Sequence, residues 1–265
     1  MTNVFSPVSA ENGLNTLPTN PCNLLDFSLL SLNDGQSHTL ETGDREIVAV
    51  ILGGKATFDC GSQTFEAIGQ RASVFDGKPT SVYLPCNTGA TITGVGAVEI
   101  ALASAPSDLA GEPYVIAPDD VVSGTWGRLN FTRYFNQILT ESSHPQLPAR
   151  RLIIGETFTP SGNWSTYPAH KHEVDDLPNE AYHEEMYFFR VTPNDGFGIT
   201  RYYHNDEDAI NFTVRNNSIL MLPDGYHTYV GAPGFNSYYL WFLAGEHRVQ
   251  AVTQDAVQER EVNKL

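Results

Sequence analysis

Apolar residues in this chain come in short β-branched and aromatic runs, each cut off by glycine, proline or an acidic turn. Ile47-Val48-Ala49-Val50-Ile51-Leu52 stops at Gly53-Gly54, Ala56-Thr57-Phe58 stops at Asp59-Cys60-Gly61, and Ser81-Val82-Tyr83-Leu84 stops at Pro85. Breaks that recur about every eight to twelve residues favour strands over helices of ordinary length, and residues of this kind suit a pleated, half-buried surface. The expected fold class is all-β, a sandwich or barrel. Helical periodicity is modest and confined to Phe131 to Leu139 and Ala251 to Glu259. With 265 residues, 11% aromatic and only 17% charged, the chain is long enough and apolar enough to bury a sizeable core.

The same grammar is written twice. Residues 1 to 22, rich in Asn, Ser, Thr and Pro, read as an N-terminal arm. A first barrel is expected over residues 23–120, and Pro106 to Gly127, with three prolines, reads as a connector. A second barrel is expected over 121–265, where Arg151-Leu152-Ile153-Ile154-Gly155 opens a new series of strands. Ser81-Val82-Tyr83-Leu84-Pro85 in the first half resembles Ile219-Leu220-Met221-Leu222-Pro223 in the second, yet no histidine follows Pro85. The first barrel is therefore expected to lack metal ligands and to serve as scaffold, interface or lid.

Charge narrows the partners. The formal net charge is −16, from 31 acidic against 15 basic residues, and no basic run exists. Nucleic acid and anionic membrane are poor partners for such a surface. An anionic small molecule would need a local arginine. The N-terminal stretch lacks a basic segment followed by an apolar one, and apolar runs such as Ile47 to Leu52 are far too short to cross a bilayer, so neither a signal peptide nor a membrane span is expected. Three cysteines, Cys22, Cys60 and Cys86, argue against a disulfide framework and for a cytoplasmic protein. Homo-oligomerisation is left open.

The chemistry concentrates between Pro168 and Tyr187, PAHKHEVDDLPNEAYHEEMY. On a strand, positions i and i+2 share a face roughly 6.5–7 Å apart, so His170 and His172 can converge on one ion. Glu185 opens the next apolar run, with Glu184 and His183 as rivals for the ligand role, and His227 follows the turn Leu222-Pro223-Asp224-Gly225-Tyr226. Histidines plus a carboxylate make a mixed site that Zn, Mn, Fe, Co or Ni could occupy. His183-Glu184-Glu185-Met186-Tyr187 is not a zinc-protease helix, because Tyr187 stands where the second histidine is needed.

Several of these stretches carry a resemblance. Gly162-Asn163-Trp164-Ser165-Thr166-Tyr167-Pro168-Ala169-His170-Lys171-His172, Glu184-Glu185-Met186-Tyr187-Phe188-Phe189-Arg190, Gly196-Phe197-Gly198, Pro223-Asp224-Gly225-Tyr226-His227 and Tyr239-Leu240-Trp241-Phe242-Leu243-Ala244-Gly245 together resemble the bicupin family that holds the 5-deoxy-glucuronate isomerases of inositol degradation and the 4-deoxy-5-ketouronate isomerases. A fainter likeness runs over residues 24–105. The resemblance implies two double-stranded β-helix (jelly-roll) barrels and a metal held by His170, His172, Glu185 and His227. Glu185 is preferred to Glu184 because the family's glutamate directly precedes a hydrophobic residue and an aromatic run. The spacing from His172 to Glu185 exceeds that of a generic cupin, and an inserted acidic loop, Glu173 to His183, accounts for it.

The resemblance also implies a reaction. An aldose–ketose isomerase would convert 5-deoxy-D-glucuronate to 2-deoxy-5-keto-D-gluconate on a divalent metal, zinc first and manganese as the alternative. A base must move a proton from C2 to C1; Glu184, Lys171, His183 and a metal-bound hydroxide are the candidates. The distal carboxylate of such a sugar acid calls for a guanidinium. Arg190 and Arg201 stand nearest the metal strands in sequence, although strand alternation puts Arg190 on the face opposite Glu185. The competing readings are an isomerase of another uronate such as 4-deoxy-5-ketouronate, a non-catalytic sugar-acid-binding cupin, and a metal-dependent oxygenase.

Overall fold

The computed structural model describes residues 3–265 and is built almost entirely of antiparallel strands, with one α-helix, Ala256–Val262, near the C-terminus. Eight strands from the first half form a single sheet. Its two long members, Arg45–Asp59 and Gly89–Pro106, pair along most of their length. Their register shifts between Ile51, Gly53 and Lys55, which lets so long a ribbon bend around a core. In the second half a seven-stranded sheet, with Glu184–Thr192 and Asn236–Ala244 near its centre, faces a five-stranded one containing Gly198–Tyr203, Tyr226–Gly231 and Trp164–Lys171.

Alternation along the central strands explains why they read as continuous apolar runs: both of their faces are buried. In Glu184–Thr192, Tyr187 and Phe189 point into the second barrel beside Tyr239, Trp241 and Leu243. Met186 and Phe188 point the other way and meet Phe27 of the first barrel, whose ring stacks on Phe188 at 5.0 Å between centroids. Arg45–Asp59 behaves likewise, with Ala49 and Ile51 inside the first barrel and Val48, Val50 and Leu52 in the layer shared by the two. The largest core thus lies between the barrels.

Two buried carboxylates lock this layer reciprocally. Glu46 of the first barrel accepts backbone N–H bonds from Arg150, Arg151 and Leu152, at 2.7, 2.7 and 2.8 Å, where a strand of the second barrel begins. Glu184 of the second accepts from Asn23, Leu24 and Leu25, at 2.7, 2.6 and 3.0 Å, where a strand of the first begins. Both glutamates are fully buried. Arg71 and Glu156 add a buried ion pair of 2.6 Å across the same layer, backed by Tyr238 Oη and Asn136 Nδ2.

Register makes the equivalence explicit. Ile47 pairs with Leu84 as Glu185 pairs with Leu222. Glu46 is therefore the counterpart of Glu184, and Ile47 occupies the place of Glu185. Gly89 lies at the same offset from Leu84 as His227 does from Leu222. The first barrel is apolar where the second gathers polar ligands.

Some segments depart from expectation. Phe131 to Leu139 is not helical: Leu129–Phe131 is a 3-10 turn and Arg133–Leu139 a strand paired with Val122–Trp126 and Leu152–Thr159. A bulge between Gln137 and Leu139 buries both Ile138 and Leu139, which imitates a helical spacing. The helix near the C-terminus runs from Ala256, capped by Asp255, rather than from Ala251. The N-terminal stretch is tied down, with Phe5–Pro7 added to Ser218–Leu222 of the second barrel and Gly13–Thr16 to Asp26–Leu32 of the first. The connector contributes Tyr114–Ile116 to the first sheet and Val122–Trp126 to the seven-stranded one. Among the described residues no helix is long and apolar enough to cross a membrane, and all three cysteines are free thiols.

Candidate metal centre

Three strands bring the four expected ligands together. His170 lies on Trp164–Lys171 and is register partner of His227 on Tyr226–Gly231, while His172 follows immediately after the first of these strands. Glu185 enters from the opposing sheet on the inward-facing series with Tyr187. One ligand atom from each of His170, His172, Glu185 and His227 lies within 4.8 Å of the others. Glu185 Oε2 is 3.0 Å from His172 Nε2 and 3.1 Å from His227 Nε2.

Backbone carbonyls orient the rings. His172 Nδ1 donates to the His183 carbonyl at 2.6 Å, and His227 Nδ1 faces the Gly225 carbonyl at 3.4 Å. Each Nε2 is thereby turned toward the cluster, the arrangement that fixes tautomer and aim in histidine metal sites. Burial and the neighbouring His227 push the His170 pKa well below its usual value, so this ring is a neutral lone-pair donor. For Glu185 burial alone would favour the neutral acid, but hydrogen bonds with His172 and His227 outweigh it and hold the carboxyl well below its usual range. Burial also opposes a charge on His172, and the Glu185 hydrogen bond overcomes it and raises that pKa. An anionic oxygen ringed by three imidazoles, two of them buried and His170 partly exposed, fits a divalent metal cation.

Two members of the cluster, His170 and Glu185, form part of the wall of a cavity of about 420 Å³. His170, His183 and Glu185 line it together with Tyr187, Tyr239, Trp241 and Thr166. Gly155 permits this wall: a Cβ there would fall 2.3 Å from the Trp241 ring and 2.6 Å from the Asn136 carbonyl. Tyr187 Oη lies 3.0 Å from His227 Nε2. Trp126, Gly127 and Arg133 close another side, and Gln250, Val252 and Gln254 of the C-terminal segment a third. That segment is strapped down by pairing of Thr253–Gln254 with His170 and Lys171 and by Gln258, which accepts from Ala169 N and donates to Tyr203 Oη.

The candidate bases fall in three different settings. Glu184 lies on the outward face of its strand with its oxygens taken up by the three amides of the first barrel. Lys171 pairs with Glu173 and lies over the Tyr226 ring, outside the cavity wall. His183 does line the cavity: its Nε2 donates to the His247 carbonyl at 2.6 Å, and its buried Nδ1 has no partner among the described residues. The acidic loop before it is ordered by its own carboxylates, with Glu180 accepting from the amides of Glu173 and Val174 at 2.6 and 3.1 Å.

Neither expected arginine reaches the cavity. Arg190 shares its outward face with Glu184 and pairs with Glu99 of the first barrel at 2.6 Å. Arg201 pairs with Asp206 at 3.0 Å and covers the Tyr203 ring. The cation that does line the cavity is Arg133. Neither it nor Gln250 and Gln254 sits in a local motif; sheet order alone carries them to the site.

Comparison with known proteins agrees with this architecture. The KduI/IolB family profile matches residues 9–260. A 5-deoxy-glucuronate isomerase of Geobacillus kaustophilus is 38% identical over 225 residues, which is 84% of this chain and 80% of the relative. The crystal structure of an IolB-like protein from Salmonella typhimurium superposes with a TM-score of 0.91 at 31% identity, covering 99% of this chain and all of that one. An oxalate decarboxylase of Bacillus subtilis shares the two-barrel fold at 14% identity, with a TM-score of 0.64 over 96% of this chain and 80% of its own. The fold is a bicupin, and the chain belongs to the KduI/IolB family.

Proposed function

We propose that this chain is a metal-dependent aldose–ketose isomerase that converts 5-deoxy-D-glucuronate to 2-deoxy-5-keto-D-gluconate, a step of myo-inositol degradation. The observation that carries the reading is the cluster of His170, His172, Glu185 and His227, of which His170 and Glu185 line a cavity sized for a small sugar acid. Membership of the family and the 5-deoxy-glucuronate isomerases among the relatives support this reaction over that of another uronate or a purely binding role. A bound divalent ion, zinc first and manganese as the alternative, would act as a Lewis acid on the carbonyl and hydroxyl oxygens of the open-chain substrate.

The chain's own side chains supply the rest. The three imidazoles and Glu185 hold the ion, and the carbonyls of His183 and Gly225 keep two of the rings aimed. His183 is the proposed base for the transfer from C2 to C1, because it alone of the three side-chain candidates lines the cavity and its Nδ1 is unpartnered. Gln250 and Gln254 offer amides to the middle hydroxyls. Trp241, Tyr239 and the strapped C-terminal segment limit the water that reaches the reacting carbons.

This reading expects turnover under strictly anaerobic conditions with no added organic cofactor, abolished by chelation and restored by zinc or manganese. Oxygen uptake accompanying product would replace the isomerase with an oxygenase. Tight binding without product would leave a sensor.

A further inference from the structure

We infer that Arg133 grips the substrate carboxylate, through a guanidinium fork that the fold leaves without a carboxylate partner in the cavity wall. The inference rests on the isomerase reading, since it names the part of that site which recognises the acid.

A carboxylate entering a protein of net charge −16 needs a cation in the cavity. Among the described residues Arg133 is the one arginine or lysine lining it. Arg190, Arg201 and Arg71 are committed to carboxylates, Arg190 to Glu99, Arg201 to Asp206 and Arg71 to Glu156. Arg133, by contrast, forms no ion pair among the described residues. Its one hydrogen bond runs from Nη1 to the Phe131 carbonyl at 3.3 Å, so Nε and Nη2 remain available as donors. Two parallel N–H donors match the two oxygens of a carboxylate.

The fork is also held in place. Its carbon lies 5.8 Å from the centre of the Trp126 ring, which is stacked on Phe135 at 4.1 Å. Gly127 gives it room: a Cβ there would fall 2.9 Å from Nη1 and 2.1 Å from the Phe131 carbonyl, at a φ of +75° that disfavours any side chain. Arg133 lines the same cavity as His170 and Glu185 of the ligand cluster. A guanidinium so placed can hold one end of a short sugar acid while the other end reaches the ligands.

The test compares 5-deoxy-D-glucuronate with 5-deoxy-D-glucose, the neutral aldose with CH2OH in place of the carboxylate. Arg133→Met should lose about 100-fold in kcat/KM on the acid, mostly through KM, as expected for removal of a charge-assisted pair. The same variant should change kcat/KM on the neutral aldose by less than about threefold, because the fork meets no charge there. Arg133→Lys should recover part of the loss on the acid, about tenfold, with one point charge in place of the fork. Metal content, measured on each variant, should be unchanged. Equal losses on both substrates, or no loss on the acid, would overturn the assignment and leave Arg133 as a wall residue stacked on Trp126. If Arg133→Met does not fold, Arg133→Lys and the wild type decide: a wild type that turns over acid and neutral aldose equally well makes no use of the carboxylate. A wild type inactive on both would sink the isomerase reading itself, an outcome distinct from either.

Discussion

Replacing His227 by Ala should remove bound metal and activity together, with kcat/KM falling by at least about three orders of magnitude. His227 is fully buried, its Nε2 is 3.1 Å from Glu185 Oε2, and it comes from a different strand than His170 and His172. Its loss leaves two imidazoles and a carboxylate, a weaker site. Lewis-acid stabilisation is worth several kcal/mol, and each 1.36 kcal/mol is about a factor of ten in rate. Metal analysis and turnover on the purified variant check this. Full activity in a metal-free His227→Ala protein would contradict the account of the site.

Glu184→Ala should do the reverse, and it separates the two adjacent glutamates. Glu184 accepts three backbone N–H bonds from residues 23–25 at the seam between the barrels. Truncation leaves three donors without an acceptor, that of Leu25 buried and those of Asn23 and Leu24 partly so, at about 1–3 kcal/mol for each one kept from water. Partial entry of water should limit the total to about 3–5 kcal/mol, the range found when one partner of a buried charged contact is removed. The urea midpoint should fall accordingly, while folded protein keeps its metal. Glu185→Gln should lose the metal instead. A Glu184→Ala protein of normal stability that binds no metal would reverse the two assignments.

Much of this was legible in the residues because the signals are local. Short apolar runs broken by Gly and Pro identify strands, and two histidines two apart with PxGxH downstream identify converging imidazoles. Alternation along Glu184–Thr192 sends Glu185 and Arg190 to opposite faces, as it must on an unbroken strand. Phe131 to Leu139 misled for a physical reason: apolar residues at 131, 134, 135, 138 and 139 have helical spacing, but the bulge at Gln137 and Leu139 produces the same pattern from a strand. Tyr134, which a helix would have turned inward, is 51% exposed.

Other features depend on distance in sequence. Arg133, Gln250 and Gln254 reach the cavity only because Arg133–Leu139 pairs with Leu152–Thr159 and the C-terminal segment returns to His170. No local pattern marks them. The Glu46 and Glu184 clamps were visible as residues and unreadable as a device, since their partners are amides whose place is set by how the barrels pack. Ile47 opposite Leu84 explains, once register is known, why a first barrel so like the second holds no comparable carboxylate inside it.

The most direct test is turnover of 5-deoxy-D-glucuronate in heavy water, followed by NMR, on metal-loaded and chelator-stripped protein. The account predicts ketone only with metal, and one solvent deuteron in the new CH2OH group at C1, delivered by the base that removed the C2 proton. Ketone formed by stripped protein would contradict the metal's role, and ketone free of deuterium at C1 would contradict proton transfer through a side chain in exchange with solvent.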